Sequence, residues 1–265
     1  MKKKRLDLLM VEKGIAESRN QAQRLIMAGE VLVNNNLAMK ASETYVDEVE
    51  IQLKGMPPFL SRGGEKLERA LQHFELENLE GAVCADVGAS TGGFTDCLLQ
   101  HGAARVYAMD VGYGQLHWKL RNDPRVIVME KTNIRDVTEL PEQMDIVVVD
   151  VSFISLRAIM PVLINLMKSP SAALITLIKP QFEAGRKEAA KGKGVITDRA
   201  IHQRVIEDVI DTARVNRLYL HGLTQSPLKG PKGNIEFLAF FKLYSLPNQP
   251  EDLIYKMLET KTRDE

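Results

Sequence analysis

Four charged side chains occupy positions where an α/β protein could place a reaction centre. Lys66 follows a Gly-Gly pair that opens a predicted helix, and Asp150 ends the apolar run Ile-Val-Val-Val. Lys179 ends the run Leu-Ile-Thr-Leu-Ile, and Glu236 lies inside the apolar stretch Ile-Glu-Phe-Leu-Ala. Two lysines and two carboxylates could deprotonate a hydroxyl nucleophile or stabilise its oxyanion. Each charge alone could belong to an ordinary ion pair, although a carboxylate among apolar neighbours, as at Glu236, needs a partner.

A glycine-rich turn provides the second chemical feature. The apolar residues 82–87 have the composition of a buried parallel strand, and Gly88, Gly92 and Gly93 lead from them into a predicted helix that starts near Phe94. A strand, a glycine turn and a helix form the cofactor site of many α/β proteins, beyond the carboxyl end of the first strand. The glycines would let the backbone approach a ligand closely.

Two acids accompany this turn. Asp86 precedes the first glycine by two residues, and Asp110 ends the next apolar run, where a carboxylate can accept hydrogen bonds from ribose hydroxyls. The spacing Asp-x-Gly-x-x-x-Gly-Gly, together with the later Asp, resembles the S-adenosylmethionine site of class I methyltransferases. The resemblance implies that the cofactor is held by Asp86, Gly88, Ser90, Thr91, Gly92, Gly93, Phe94 and Asp110, with Asn133 or Asp136 near the adenine.

An alternative is open for the same turn. The segment Gly88-Ala-Ser90-Thr-Gly92 also matches G-x-S-x-G, the nucleophile elbow of α/β-hydrolases. A hydrolase would need a histidine and an acid that converge on Ser90. The dinucleotide fingerprint G-x-G-x-x-G and the phosphate loop G-x-x-x-x-G-K-[ST] both have a different spacing.

The composition is that of an ordinary globular protein. The 265 residues have a net charge of zero and are 45% hydrophobic, and no apolar run is long enough to span a bilayer, so a cytoplasmic location is expected. The two cysteines, Cys84 and Cys97, lie on apolar faces without metal-ligand spacing; buried free thiols and no metal are expected. Positive charge is concentrated in residues 1–40, which contain eight Lys or Arg and four acids.

Residues 1–54 form a predicted separate domain. Gly14 and Gly29 each end a short helix, and Ser18 is placed to cap the second helix. The motifs Arg-Leu-Asp, Ser-Arg-x-x-Ala-x-x-Leu-Ile and Gly-x-Val-x-Val-Asn resemble the S4 domain, a small RNA-binding module. The resemblance implies RNA contacts by Arg5, Arg19 and Arg24, although a solvated helix face would have the same pattern.

The rest of the chain is predicted to be an α/β domain. Residues 55–60 contain two prolines and form the expected linker to a domain over residues 61–265. After the first strand, apolar runs recur at 106–109, 126–129, 146–149, 172–178, 217–223 and 235–243, and helices are expected at 114–121, 155–168, 198–214 and 250–260. The last two strands follow each other directly, which predicts a hairpin. Seven strands of this kind match the Rossmann-like fold of class I methyltransferases.

The charged residues and their neighbours resemble one family closely. Lys66, Asp150, Lys179 and Glu236 resemble the catalytic tetrad of FtsJ-type ribose 2′-O-methyltransferases. The motifs Ser-Arg-Gly-Gly-x-Lys-Leu, Asp-Val-Ser-Phe-Ile-Ser-Leu, Lys-Pro-Gln-Phe-Glu and Gly-Asn-Ile-Glu-Phe, joined to an S4 domain, resemble the TlyA family, also called haemolysin A. This resemblance implies methylation of cytidine ribose in ribosomal RNA or ribosomal subunits.

The roles expected within the tetrad follow from charge. Lys179 would take the hydroxyl proton or stabilise the oxyanion, and a like charge at Lys66 would ease proton loss. Asp150 and Glu236 would orient the lysines. A monomer with no required protein partner is expected. The alternatives are an RNA-binding protein with an inactive methyltransferase domain and a membrane-lytic protein, against which the lack of a spanning segment argues.

Residues 183–200 contain a basic, glycine-containing segment. It is predicted to be a loop, either a solvated one or a mobile lid that grips RNA after the catalytic Lys179. The basic residues expected to contact RNA outside the first domain are Arg62, Arg186, Lys187, Lys191 and Lys193.

Overall fold

The computed structural model describes residues 3–55, 58–168, 170–245 and 254, without the side chains of Arg186 and Pro231. The chain divides into two compact units, Met1–Pro58 and Phe59–Glu265. Phe59, which the sequence analysis assigned to the linker, is buried in the second unit. The helix expected at 250–260 lies outside the described residues except for Ile254, which is helical and buried.

The N-terminal unit packs two helices against short strands. Its elements are β1 (Lys4–Arg5), α1 (Leu6–Glu12), α2 (Arg19–Met27), β2 (Val31–Val33), β3 (Asn36–Leu37), β4 (Thr44–Tyr45) and β5 (Ile51–Leu53). The backbone N–H of Gln21 donates to Ser18 Oγ (3.3 Å), which confirms the predicted cap of α2. Leu6, Met10 and Ile26 are among the buried residues of its core. An antiparallel sheet, β3-β2-β5, covers this core.

The second unit contains a seven-stranded sheet with helices on both faces. Its elements are α3 (Gly63–His73), β6 (Val83–Val87), α4 (Gly93–Gln100), β7 (Arg105–Met109), α5 (Trp118–Arg121), β8 (Val126–Met129), β9 (Ile146–Val149), α6 (Met160–Leu166), β10 (Ala173–Ile178), α7 (Pro180–Glu183), α8 (Arg186–Lys191), α9 (Arg199–Val215), β11 (Tyr219–Gln225) and β12 (Phe237–Lys242). The strand order is β11-β12-β10-β9-β6-β7-β8.

This strand order positions the site. The strands β6 to β10 pair in parallel, whereas β12 is antiparallel to both of its neighbours, which confirms the predicted hairpin and the Rossmann-like fold class. The order reverses between β6 and β9, because the chain continues from β6 towards β8 on one side and from β9 towards β10 on the other. A ligand crevice forms at the carboxyl ends of strands at such a switch point.

The central strands are apolar because both faces of the sheet are covered. All four residues of β9 and all six residues of β10 are buried. Helices α3 and α4 cover one face, where Leu67, Leu71 and Leu98 pack. Helices α6 and α9 cover the other face with Leu163 and Val209. Burial on both faces explains why these strands lack the alternation of polar and apolar residues.

Three sequence-based expectations need correction. The helix expected at 114–121 begins only at Trp118, because Gly114 has a φ of +73° and His117 Nδ1 caps the later start by accepting from Lys119 N–H. The helix expected at 155–168 is divided into a 3₁₀ turn at Leu156–Ala158 and α6. The basic segment expected to be a loop contains α8.

No helix among the described residues is both long enough and apolar enough to cross a membrane.

Candidate active site

The turn between β6 and α4 requires glycine at two positions. Gly88 has a φ of +90°, and a Cβ atom there would lie 2.6 Å from the carbonyl oxygen of Asp150. Gly92 has a φ of +97°, and its Cβ would lie 2.1 Å from Leu120 Cδ1. Both residues therefore combine a left-handed backbone with a close approach that a larger side chain would prevent. The contact at Gly88 brings the ends of β6 and β9 together.

Asp110 holds the two loops beside this turn. Its Oδ2 accepts from the backbone N–H of Ser90 (2.8 Å), and its Oδ1 accepts from that of Gly112 (2.7 Å). The carboxylate lines a cavity of about 480 Å³, which also contacts Gly88, Asn133 and Phe153. This volume falls within the range of small-molecule sites, roughly 300–1,000 Å³. The cavity lies at the carboxyl ends of β6 and β7, where open α/β sheets bind ligands.

Asp86 lies behind the glycine turn, not in the cavity. Its carboxyl group is fully buried, and Thr95 Oγ1 donates to its Oδ2 (2.6 Å). Burial, which Thr95 only partly offsets, raises the pKa of Asp86 to about 7. Asp86, which was expected from the sequence to bind the cofactor, therefore lines neither cavity.

The remaining predicted cofactor residues divide between two cavities. Asn133 lines the cavity of about 480 Å³, but Asp136 is exposed and lies outside its lining. Ser90 lines both cavities, whereas Thr91, Gly93 and Phe94 line only the neighbouring one. Several residues in the lining of the first cavity were not predicted from the sequence, because they lie in loops after three different strands and share no spacing signal; they include Gln115, Ile134, Arg135 and Phe153.

The four charged residues form two ion pairs. Lys66 Nζ donates to Glu236 Oε2 at 2.6 Å, although 170 residues separate the two. Lys179 Nζ lies 2.5 Å from Asp150 Oδ1. The well-aligned hydrogen bond of Lys179 goes instead to Ser152 Oγ (2.9 Å), so its contact with Asp150 is an ionic one. Each lysine thus has its own carboxylate.

Because these ion pairs are buried, each charged side chain depends on its partner. The side chain of Glu236 is fully buried, and those of Lys66 and Lys179 are only 11% and 9% exposed. Glu236 Oε1 also accepts from Gln181 Nε2 (3.3 Å), and a Cβ on Gly230 would lie 2.0 Å from Oε1. Removing one member of such a pair leaves a buried charge without compensation, which is strongly destabilising. The partner that the sequence analysis required for Glu236 is Lys66.

A second cavity of about 450 Å³ adjoins the first. Gly88, Ser90 and Asp150 line both cavities, so the Asp150 carboxylate lies at their junction. Cationic side chains dominate the charged lining of this second cavity: Arg62, Lys66, Lys229 and Lys232. The sequence analysis missed the last two, although they lie in the basic run Leu-Lys-Gly-Pro-Lys-Gly just before Glu236. This cavity suits a polyanionic substrate.

The side-chain contacts of Ser90 do not fit a hydrolase. Its Oγ contacts Gln115 Oε1 at 3.5 Å, and no histidine among the described residues takes the position of a general base beside it. Its φ of +51° and its backbone bond to Asp110 assign Ser90 to the ligand-binding turn.

In the N-terminal unit, a buried carboxylate organises two of the three predicted RNA contacts. Asp7 is fully buried and accepts hydrogen bonds from Arg5, Arg19 and Gln23. The bond from Arg5, then those of Gln23 and Arg19, hold the pKa of Asp7 well below its usual range. Arg5 and Arg19 therefore use part of their hydrogen-bonding capacity on Asp7 inside the unit, whereas Arg24 is exposed.

Two sets of contacts hold the basic segment after Lys179 in place. Arg204 pairs with Glu188 and so ties α8 to α9. The amide of the buried Asn234 donates to Gly194 O (2.8 Å) and accepts from Ile196 N–H (2.9 Å). Lys187, Lys191 and Lys193 are exposed in this segment, while the side chain of Arg186 is not described.

Comparisons with known proteins agree with this arrangement. Residues 59–243 match the model of the FtsJ-like methyltransferase family, and residues 4–48 match that of the S4 domain. The chain is 47% identical to "Putative rRNA methyltransferase YqxC" of Bacillus subtilis, over 89% of this chain and 85% of that protein. It is 42% identical to the 16S/23S rRNA (cytidine-2′-O)-methyltransferase TlyA of Mycobacterium tuberculosis, over 90% of this chain and 89% of that protein.

A solved structure extends the similarity to the whole chain. The structure titled "Putative hemolysin from Streptococcus thermophilus" is 40% identical, covers 100% of both chains and has a TM-score of 0.72.

The close approach at Gly88 generates a prediction. Gly88→Ala should lower the affinity for S-adenosylmethionine at least about tenfold, or about 1.4 kcal/mol, because the added methyl must displace the Asp150 carbonyl. Titration calorimetry measures this change. The matched control is Gly81→Ala, where φ is +77° but no atom lies within 4 Å of the added Cβ. Equal affinities of the two variants would contradict an effect of the close approach at Gly88.

Proposed function

Because the chain belongs to the TlyA family, the FtsJ-like methyltransferases that carry an S4 domain, we propose that it methylates the 2′-hydroxyl of cytidine ribose in ribosomal RNA with S-adenosylmethionine as the methyl donor. The observation that carries the proposal is the pairing of Lys179 with Asp150 at the junction of two cavities. The choice of cytidine comes from the name of the M. tuberculosis relative.

The lining of the first cavity contains the polar and apolar groups needed to bind S-adenosylmethionine. Asp110 directly follows β7, where a carboxylate can accept from ribose hydroxyls, and Gly88 lines the same cavity. Asn133 and Ile134 supply an amide and an apolar surface for an adenine ring. When bound, the cofactor would supply a methyl group on a positively charged sulfur.

The second cavity has the charge that an RNA strand requires. Arg62, Lys66, Lys229 and Lys232 can neutralise phosphates on either side of the target ribose. Phosphate contacts of this kind position a nucleic acid and carry no sequence information. The exposed Lys187 and Lys191 of α8, and the exposed Lys193 just after it, would add further phosphate contacts.

Within the reaction centre, Lys179 is the residue proposed to act on the acceptor oxygen. As an amine it would take the hydroxyl proton, and as an ammonium it would stabilise the forming oxyanion. Asp150 and Ser152 hold its Nζ from two sides and so fix its direction. Lys66 is compensated by Glu236, so its proposed role is to orient the acceptor ribose, and not to repel the charge of Lys179.

The N-terminal unit is proposed to bind the same RNA independently. Two RNA-binding units in one chain raise the effective concentration of the substrate at the reaction centre. All four members of the ion pairs come from one chain, so the proposal requires no second copy. A ribosomal substrate places the proposed site of action in the cytoplasm.

The test of the proposed reaction is tritium transfer from S-adenosylmethionine to isolated small and large ribosomal subunits. Lys179→Ala should reduce the rate at least about 100-fold, because the acceptor hydroxyl then lacks its acid–base group. The matched control is Lys168→Ala, which removes a lysine from an exposed ion pair with Asp145 and should leave the rate unchanged.

Two results would contradict the proposal. Absence of label with the native protein, despite measurable cofactor binding, would favour an RNA-binding protein without activity. Label that appears on subunit protein and resists RNase would exclude ribose as the acceptor.

The buried Asp86 predicts a pH dependence of cofactor binding. Burial raises the pKa of Asp86 to about 7, so its carboxyl group loses its proton and becomes negatively charged between pH 6 and pH 8. A positively charged cofactor favours the ionised carboxylate, so affinity should rise with pH through this range. Asp86→Asn should remove that component while leaving the contribution of the cofactor's own amine, which calorimetry at several pH values would separate. Identical pH profiles for the two proteins would contradict this role.

Arg24 provides a test of RNA binding by the N-terminal unit. Arg24→Ala should weaken binding to ribosomal RNA and lower the slope of log affinity against log salt by about 1, because one phosphate contact is lost. The control is Lys13→Ala, at an exposed position of the same unit. Filter binding at several salt concentrations measures both, and equal slopes for Arg24→Ala and the native protein would exclude the contact.

A further inference from the structure

Three potential metal ligands converge between α3 and α4, in the second unit. Glu68 lies on α3, Cys97 lies on α4, and His101, four residues later, is the C-cap residue directly after α4. Glu68 Oε2 is 2.6 Å from His101 Nε2 and 3.8 Å from Cys97 Sγ, and all three ligand atoms lie within 4.8 Å of one another. None of the three lines either cavity of the candidate active site.

The outer atoms of two of these side chains are already held in place. Gln72 Nε2 donates to Glu68 Oε1 (2.6 Å), which directs Oε2 towards the other two residues. His101 Nδ1 lies 2.7 Å from the carbonyl oxygen of Glu77. Because a carbonyl can only accept, Nδ1 carries a proton. Without metal, Nε2 also carries a proton and donates it to the Glu68 carboxylate; loss of this second proton leaves a lone pair on Nε2 for a metal. Metal-binding histidines are commonly oriented in this way.

We propose that Glu68, Cys97 and His101 bind a zinc ion, with a water molecule as the fourth ligand. Thiolate, imidazole and carboxylate ligands in a four-coordinate arrangement are typical of Zn²⁺, whereas Mg²⁺ and Ca²⁺ take oxygen ligands. Metal binding at this position is separate from the methyl-transfer reaction and does not depend on the proposed function.

Binding requires the release of two protons and one small movement. The Cys97 thiol and the Nε2–H of His101 give their protons to solvent as the bonds to zinc form, so the ligands are a thiolate and a neutral imidazole. Tetrahedral bonds of about 2.0 Å to nitrogen and oxygen place these two atoms about 3.3 Å apart, so the 2.6 Å contact between His101 and Glu68 must open by about 0.7 Å. The side chains of Glu68 and His101 are 28% and 18% exposed and provide the entry path, while Cys97 is buried beneath them.

The ion would join two helices that support the reaction centre. Helix α3 contains Lys66, two residues before Glu68, and α4 starts at Gly93 in the glycine turn. Zinc should therefore stabilise the packing of α3 on α4. Without metal, the same residues would form an ordinary ion pair between His101 and Glu68 beside a buried thiol.

The test uses the metal-free full-length protein titrated with Co²⁺. One equivalent should produce thiolate-to-cobalt charge transfer in the near ultraviolet and intense visible bands of tetrahedral cobalt, and Zn²⁺ should remove both. These signals should be lost in Cys97→Ser and His101→Gln. They should persist in Cys84→Ser, the matched control, because the other buried cysteine belongs to no such group among the described residues.

Thermal unfolding provides a second readout. Zn²⁺ should raise the Tm of the native protein and of Cys84→Ser, but not that of His101→Gln, whose altered side chain is partly exposed and compatible with folding. Circular dichroism confirms that each variant is folded. Absence of cobalt charge transfer in the native protein would overturn the proposal. It would also be overturned if folded His101→Gln kept both the cobalt bands and the zinc-dependent rise in Tm.

Discussion

The buried carboxylate of Glu236 imposes the main constraint on the catalytic unit. A fully buried negative charge is stable only with a cation and further hydrogen bonds, and Lys66 and Gln181 supply them. Lys66 belongs to α3, Gln181 belongs to α7, and Glu236 directly precedes β12. One buried charge therefore brings together elements that are far apart in the chain. Gly230 can pass beside Glu236 only because it has no side chain.

A second constraint links the ligand turn to the same centre. At Gly88 the backbone after β6 passes so close to the Asp150 carbonyl that no Cβ atom fits. Gly88, which lines the first cavity, therefore lies beside Asp150, which pairs with Lys179. The proposed cofactor cavity and the proposed reaction centre are adjacent because two neighbouring parallel strands end at the same edge of the sheet. The same packing buries Asp86 and couples its charge to the turn.

Charge has different uses in the two units. In the N-terminal unit the buried Asp7 occupies part of the hydrogen-bonding capacity of Arg5 and Arg19, so these arginines stabilise the fold as well as facing solvent. In the catalytic unit, Lys229 and Lys232 add positive charge to a cavity whose other cations were recognisable from motifs. Zero net charge is therefore compatible with strongly cationic local surfaces.

The sequence by itself determined the two-domain composition, the seven strands with their final hairpin, and the selection of Lys66, Asp150, Lys179 and Glu236 as candidates, because local motifs and apolar periodicity are contained in short segments. It also contained the spacing of Cys97 and His101, which has meaning only once Glu68 lies beside them. The tertiary structure alone decided which lysine pairs with which carboxylate, that the fully buried Asp86 lies behind the turn, and that α5 starts late. These outcomes depend on burial and on contacts between distant segments, which no local pattern encodes.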